Sequence, residues 1–180
     1  MAFTGISTRR QAIIGAVSAL GALVAGSAVP VLAAGAMGEL PSTASDRLRT
    51  SLHQEIDLHA SVHRIYEMLL DSQQFAAFTG MPATIDPHAG GAFSMFGGLI
   101  VGRNIELVAD TRIVQAWRPA DWTAGAYSVV RFELNSLTSG TKVVLDHTGF
   151  PEGDYDHLYA GWGLRYWRPL ERFLAIHPSV

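Results

Sequence analysis

The sequence contains no cysteine in its 180 residues. This absence excludes a disulfide scaffold, thiol catalysis, an iron–sulfur cluster and a lipoprotein-type acylated cysteine. Basic charge is also scarce, with 13 basic residues against 16 acidic ones and a formal net charge of −3. Nucleic-acid-binding proteins have a strongly basic profile, so we expect no nucleic-acid partner.

Acidic residues are missing from the N-terminal segment. The first is Glu39, and the 28 consecutive residues after Arg10 carry no charge. Two adjacent arginines directly precede this Gly- and Ala-rich run, which reaches Ala-Gly-Ala at residues 34–36. A basic region, an apolar region and an Ala-x-Ala site are the layout of a secretory signal, and the arginine pair resembles bacterial twin-arginine export signals. We therefore interpret residues 1–36 as a cleavable twin-arginine-type signal peptide and expect a periplasmic or secreted protein.

An uncleaved membrane anchor is the alternative for the same segment, because 28 uncharged residues can cross about 30 Å of hydrocarbon. Three glycines and Pro30 weaken such a span, and the Ala-x-Ala site favours removal. Any membrane contact would then be through this segment alone. Residues 37–51 are rich in Gly, Pro, Ser and Thr and are expected to form a flexible tether to a domain over residues 52–180.

Periodicity in the remaining chain predicts an α+β domain. Alternation over residues 52–59 predicts a half-buried strand, and Ser61 is a typical N-cap for a first short helix. A second short helix is expected to end at Thr79 and Gly80. Short turns, among them Gly97-Gly98, Ala109-Asp110 and Ser139-Gly140, then separate six further strands, which implies an antiparallel meander. We expect these strands at 83–86, 91–96, 99–108, 111–118, 127–134 and 141–148.

The last predicted element is a long helix over residues 156–175. Pro169 is expected to kink or restart it, because proline cannot donate to the carbonyl of Arg165. A long aromatic helix across a sheet of about seven strands can enclose a ligand cavity. Its apolar stripe consists of Leu158, Trp162, Tyr166, Leu170 and Phe173.

Five segments, in order along the chain, resemble a known superfamily. Residues 86–93 read Asp-Pro-His-Ala-Gly-Gly-Ala-Phe, similar to its D-x-R-x-G-G-x-F segment, and the other four lie at 98–102, 112–118, 140–150 and 161–170. Together they resemble the SRPBCC (START-like, birch-pollen-allergen-like) superfamily, in particular its branch of activators of heat-shock protein 90 ATPase. The resemblance implies a helix-grip fold, in which a curved antiparallel sheet wraps a long C-terminal helix around a hydrophobic cavity.

Two residues depart from the pattern of that superfamily. His88 stands at the arginine-like position of the first segment, and Phe78 replaces the tryptophan that usually ends the second short helix. Both are expected near the mouth of a pocket. The ligand preference of other members therefore does not carry over to this chain.

The candidate cavity residues combine large aromatic area with polar groups. Trp and Tyr suit a wall that holds a mostly apolar ligand. His147 shares a strand face with Val143 and Leu145, so it is either a satisfied core histidine or a polar anchor or general base in the cavity. We expect the cavity to be lined by Phe78, Gln115, Trp117, His147, Trp162 and Tyr166.

Two histidine-containing clusters are weak candidates for metal sites. His59 and His63 are four residues apart, but the predicted strand and helix place them on different elements. The Asp-Tyr-Asp-His run at 154–157 is expected to cap the long helix through its carboxylates. No phosphate-binding glycine loop, nucleophile elbow or metalloprotease motif occurs, so we predict neither a metal nor a cofactor.

Three functional hypotheses follow. The first is an exported, non-catalytic protein that binds a small apolar or amphipathic molecule beneath the last helix. The second is an enzyme of the cyclase, dehydratase or hydrolase type that uses the same cavity, with His147 as acid or base. The third, by resemblance, is a co-chaperone-like protein-interaction domain.

Overall fold

The computed structural model describes residues 48–178. The predicted signal peptide, and the tether up to residue 47, lie outside the described residues. The first strand begins at Ser51, the last residue of the expected tether. Within the described range, no helix is long and apolar enough to cross a membrane.

The described residues form seven strands, two short helices after the first strand and a long C-terminal helix. The strands are β1 Ser51–Leu58, β2 Thr84–Ile85, β3 Ala92–Met95, β4 Ile100–Val108, β5 Arg112–Pro119, β6 Ser128–Leu137 and β7 Gly140–Thr148. The helices are α1 Val62–Leu70, α2 Ser72–Thr79, α3 Tyr155–Gly161 and α4 Arg168–Ile176, with a 3₁₀ turn at Phe96–Gly98 and a π-helical segment at Trp162–Trp167.

All seven strands belong to one antiparallel sheet in the order β1-β7-β6-β5-β4-β3-β2. The consecutive strands β2 to β7 form the predicted meander, and β1 pairs with β7 along its whole length. The C-terminal helix packs across this sheet. The ring of Trp162 contacts Trp117 on β5, Phe132 on β6 and His147 on β7. The α+β helix-grip arrangement is therefore confirmed.

Local capping signals begin and end the two short helices, and those at Ser61 and Gly80 are the ones that the sequence predicts. The Ser61 hydroxyl accepts the Arg64 amide at 3.3 Å and begins α1. Asp71 ends α1 and also caps α2, where its carboxylate accepts two amide hydrogens. Gly80 ends α2 with a φ of 70°, a left-handed conformation that glycine adopts without steric cost.

The C-terminal helix changes its hydrogen-bond pattern where the sequence places Pro169. The Arg168 amide donates to the carbonyl of Gly163, five residues earlier, and the α pattern resumes at Arg168. The predicted restart is confirmed, but a π segment was not expected. This segment brings Trp167 into the core, where its Nε1 donates to Gln54 Oε1 on β1 at 2.7 Å.

The expected carboxylate cap at the start of α3 is wrong. Asp154 occupies the N-cap position but its side chain makes no capping hydrogen bond. Its φ of −88° and ψ of −5° are close to helical, whereas a side-chain cap requires extended backbone at that residue. Asp156 does lie in the first turn, where its charge is favourable to the helix dipole.

Candidate ligand cavity

A cavity of about 300 Å³ lies between the C-terminal helix and the sheet. We call it the aromatic cavity. Its wall comes from the 3₁₀ turn and the start of β4, from the end of β5 with the loop that follows, and from one face of α3 and the π segment. The lining residues are Phe96, Leu99, Ile100, Trp117, Pro119, Ala120, Asp121, His157, Leu158, Gly161, Trp162, Arg165 and Tyr166.

Four buried aromatic rings form one side of this wall. Trp117 and Trp162 stack with their centroids 4.9 Å apart and their planes 18° apart. Tyr166 lies 4.5 Å from Trp162, and Phe96 meets Tyr166 edge-on at 5.3 Å. Such contacts hold each ring in one orientation, so the wall is formed before any ligand arrives.

The acidic and basic side chains of the aromatic cavity lie at its rim. Asp121, His157 and Arg165 are exposed. The buried part of the lining carries no charge and consists of Phe96, Trp117, Leu158, Trp162 and Tyr166. A ligand here would place apolar groups against the aromatic rings and any charged group at the rim. This division suits an apolar or amphipathic small molecule.

His147 lies directly behind this wall and is not among its lining residues. The Nε1 of Trp162 donates to Nδ1 of His147 at 3.2 Å, since an indole nitrogen can only donate. The proton of the imidazole is therefore on Nε2, which lies 2.7 Å from the Ser128 hydroxyl. Ser128 in turn donates to the carbonyl of Trp117 at 3.1 Å. These three hydrogen bonds connect the two stacked tryptophans through one buried chain of polar groups.

The buried chain keeps His147 neutral. Burial lowers the pKa of His147 to about 3, because a charged imidazole would lose its hydration without gaining an anionic partner. Both ring nitrogens are already hydrogen-bonded, which leaves no free nitrogen to exchange a proton with a cavity ligand. The contacts favour a satisfied core histidine that positions Trp117 and Trp162.

Gln115 and Phe78 also lie outside the cavity wall. Gln115 is buried on the same strand face as Trp117, but its Nε2 donates to Asn104 Oδ1 at 3.0 Å. Asn104 donates onward to the carbonyl of Asp86 at 2.8 Å, so this pair fastens the loop before β3 to the sheet. Phe78 packs 6.4 Å from Tyr166, one layer behind the wall. Of the six predicted cavity residues, the structure brings Trp117, Trp162 and Tyr166 to the cavity.

The expectation that His88 and Phe78 flank a pocket mouth is not met. Phe78 is only 5% exposed. The side chain of His88 is 80% exposed and lies 2.6 Å from a carboxylate oxygen of Asp86, outside the cavity lining. Both departures from the superfamily pattern therefore lie away from the cavity.

The histidine pair at the start of α1 is divided between two different partners. His59 contacts the Ser139 carbonyl at 3.2 Å, whereas His63 contacts Asp110 at 3.0 Å. Along the described part of the chain, no group of three or more His, Asp or Glu side chains is arranged to hold a metal ion.

Sequence reasoning missed the part of the wall that comes from turns. Phe96 precedes two glycines in the 3₁₀ turn, and Pro119 ends β5. The Phe-Gly-Gly signal predicts a turn, but not that its ring faces a distant helix. Gly161 was missed for another reason. A Cβ added there would meet nothing within 4 Å, so this glycine borders open space.

A second, wider groove crosses the exposed face of the sheet, with a volume of about 710 Å³. Five of the seven polar side chains that line it already have hydrogen-bond partners in the groove or beside it. His53 lies 2.7 Å from Asp146, and Arg131 donates to Glu133 at 2.7 Å. The aromatic cavity is therefore the better candidate for a ligand site.

Curated relatives of this chain include activators of a heat-shock ATPase. An uncharacterised protein of Schizosaccharomyces pombe is 30% identical over 112 residues, which cover 62% of this chain and 33% of that protein. The human Activator of 90 kDa heat shock protein ATPase homolog 1 is 25% identical, with coverage of 62% of this chain and 33% of that protein. The chain thus spans about a third of the length of the curated relatives it matches.

Solved structures share the fold over most of the described domain. An HSP90 activator from Plasmodium falciparum superposes with a TM-score of 0.67 at 26% identity, covering 71% of this chain and 97% of that one. A protein of Chromobacterium violaceum superposes with a TM-score of 0.58 at 24% identity, covering 72% of this chain and 99% of that one. The sequence family described as Activator of Hsp90 ATPase homolog 1-like protein matches residues 59–175. This chain therefore belongs to the Activator of Hsp90 ATPase homolog 1-like family of the SRPBCC superfamily.

Proposed function

We propose that this protein binds a small apolar or amphipathic molecule in the aromatic cavity. The observation that carries the proposal is a preformed space of about 300 Å³ with a buried aromatic wall and a charged rim. Protein interiors are close-packed, with few voids larger than a water molecule, whereas this space equals about ten water volumes. It also reaches the lower end of the range for small-molecule sites, which begins at about 300 Å³.

The buried chain behind the wall supports the same proposal. Trp162, His147 and Ser128 use their polar atoms to hold one another and the backbone of Trp117. Packing alone could have filled the space with a larger side chain at Gly161, where nothing lies within 4 Å of a built Cβ. The site is thus rigid on one side and open on the other, which lowers the entropic cost of binding.

Two helical glycines provide the test and its matched control. Gly161 lines the cavity, whereas Gly163 lies two residues further and does not, and neither has an atom within 4 Å of a built Cβ. We expect the apolar fluorophore N-phenyl-1-naphthylamine to bind the full-length protein with enhanced emission. Gly161→Leu should weaken this binding at least about tenfold by filling the cavity, and Gly163→Leu should leave it within about twofold.

Far-ultraviolet circular dichroism and thermal unfolding of both variants control for folding. Equal dissociation constants for the two leucine variants would place the fluorophore elsewhere and contradict the proposal. Absence of binding to the wild-type protein, confirmed by native mass spectrometry, would contradict it as well.

We propose further that the protein is exported. Support comes from the sequence of residues 1–36, with its arginine pair, uncharged apolar run and Ala-x-Ala site. Fusion of residues 1–36 to a reporter that folds in the cytoplasm should deliver the reporter to the periplasm. Replacement of Arg9 and Arg10 by lysine should retain it in the cytoplasm, and export that survives this change would contradict the twin-arginine route.

A second candidate function is modulation of a heat-shock ATPase. It is favoured by the similarity to the Plasmodium falciparum HSP90 activator, of which this chain covers 97%. Addition of the full-length protein to a purified 90 kDa heat-shock protein would then raise its ATPase rate, and Gly161→Leu would not change that effect. No change in rate at saturating protein would reject this candidate and leave the ligand-binding proposal intact.

A further inference from the structure

The helix that covers the aromatic cavity presents two rows of residues to it, each spaced by four positions. The row at the rim consists of His157, Gly161 and Arg165. The row next to it is buried and consists of Leu158, Trp162 and Tyr166. Residues four apart lie on one face of a helix, one turn above the other. Gly161 therefore leaves a gap in the rim row, with His157 on one side and Arg165 on the other.

The gap at Gly161 is open space of the cavity. A Cβ built there meets no atom within 4 Å, so neither flanking side chain fills it. Side chains of a helix lean towards its N-terminus, which directs Arg165 over the turn that contains Gly161. His157 leans away from the gap for the same reason. Arg165 is thus the member of the rim row whose side chain can reach the gap.

The charge of Arg165 is not neutralised within the described part of the chain. Its side chain is exposed and makes no hydrogen bond or ion pair there. Arg168 is also exposed and unpaired among the described residues, but it does not line the cavity. A guanidinium is always charged, and its N–H donors match the two oxygens of a carboxylate. Its position beside an apolar cavity therefore suits Arg165 to bind the anionic end of an amphipathic molecule.

We propose that the cavity ligand carries a single carboxylate, which lies over Gly161 and accepts hydrogen bonds from the Arg165 guanidinium. This inference rests on the proposed function, because it names the class of molecule that the aromatic cavity takes. A single negative charge suits the rim, since Asp121, the one acidic residue that the described chain contributes to the lining, would repel a doubly charged phosphate more strongly. At the exposed rim the carboxylate keeps part of its hydration, so its desolvation cost is small.

The test compares 2-naphthaleneacetic acid with 2-naphthaleneacetamide, which have nearly equal shape and differ in charge near neutral pH. Each displaces the uncharged N-phenyl-1-naphthylamine from wild type and from two variants that lose one positive charge. Arg165→Gln removes the proposed partner, and Arg168→Gln removes an exposed arginine outside the lining. We expect wild type to prefer the acid about fivefold at low salt, as an exposed ion pair allows. Arg165→Gln should abolish this preference, and Arg168→Gln should retain it.

The salt dependence of wild type does not depend on the folding of any variant. The preference for the acid should decline as potassium chloride is raised from about 20 mM to about 500 mM, because salt screens an exposed ion pair. Affinity for the uncharged amide should change little. A preference for the acid that is independent of salt would contradict the ion pair.

An acid-to-amide ratio that is the same in Arg165→Gln as in Arg168→Gln would overturn this inference, as would failure of the acid to displace the fluorophore. Preference for 2-(2-naphthyl)ethylamine over the amide, lost in Asp121→Asn, would overturn it too, because the rim would then bind a cation. The fluorophore is uncharged and does not need Arg165. Its sensitivity to Gly161→Leu would therefore still support the proposed function in each of these cases.

Discussion

His147 holds the two stacked tryptophans together only while it is neutral. Its folded pKa of about 3 lies far below the ordinary value of 6.5. Between about pH 3 and pH 6.5 the unfolded chain takes up a proton at His147 and the folded protein does not, so acid favours unfolding. This contribution to stability is fully present above pH 6.5 and is lost by about 1.4 kcal/mol per pH unit as the pH falls towards 3.

We predict that His147→Gln is less stable than wild type by about 1–3 kcal/mol at pH 7 and that this difference shrinks on acidification. Urea unfolding at several pH values between 7.5 and 4.5 measures both free energies. His63 titrates in the opposite sense, because the hydrogen bond and charge of Asp110 raise its pKa, but it is common to both proteins and cancels. If the difference in unfolding free energy between wild type and His147→Gln stayed constant with pH, the imidazole of His147 would titrate in the folded protein as it does in the unfolded chain. That result would contradict the lowered pKa.

Gly102 on β4 is required because neighbouring atoms approach its backbone. A Cβ there would overlap the carbonyl of Ala116 and lie 2.5 Å from the ring of Phe93. We predict that Gly102→Ala costs about 1–3 kcal/mol of unfolding free energy, as overpacking does in other cores. The control is Gly161→Ala, which meets no atom and should stabilise its helix by up to about 1 kcal/mol. Similar urea midpoints for Gly102→Ala and Gly161→Ala would contradict the conclusion that neighbouring atoms require a glycine at position 102.

At the scale of elements, the sequence predicts the features that are set by contacts between residues close together in the chain. Ser61 and Gly80 begin and end helices through bonds within one turn, and the alternation in β7 identifies its buried face. The π segment was not predicted, because its i to i+5 bonding is stabilised by distant contacts. One of these is the hydrogen bond from Trp167 to Gln54, across 113 residues of chain.

The π segment sets the position of Trp162 and Tyr166 on the cavity wall. A π turn is an α-helix with one extra residue, and Leu164 in this turn is 56% exposed. We predict that deletion of Leu164 yields a folded protein with a regular α-helix. Binding of N-phenyl-1-naphthylamine should then weaken at least about tenfold, because the aromatic wall is displaced. Unchanged binding with native helicity by circular dichroism would contradict a role for the π turn.

At the scale of the whole molecule, the fold and its cavity were predictable, but the lining only in part. Trp117, Trp162 and Tyr166 were identified because periodicity places them on faces that meet. His147 has the same inward periodicity, yet it lies behind the wall, since face periodicity gives direction and not depth. Contacts between residues far apart in the chain, such as that of His147 with Trp162, decide which inward-facing side chains line the cavity. No local sequence pattern contains these contacts.

A crystal structure of the protein with N-phenyl-1-naphthylamine would test most directly whether the aromatic cavity binds a small apolar molecule. We predict electron density for the fluorophore between the C-terminal helix and the sheet, in contact with Phe96, Trp117, Trp162 and Tyr166. Density in the groove on the exposed face of the sheet, or a cavity closed by protein side chains while the fluorophore binds elsewhere, would contradict it.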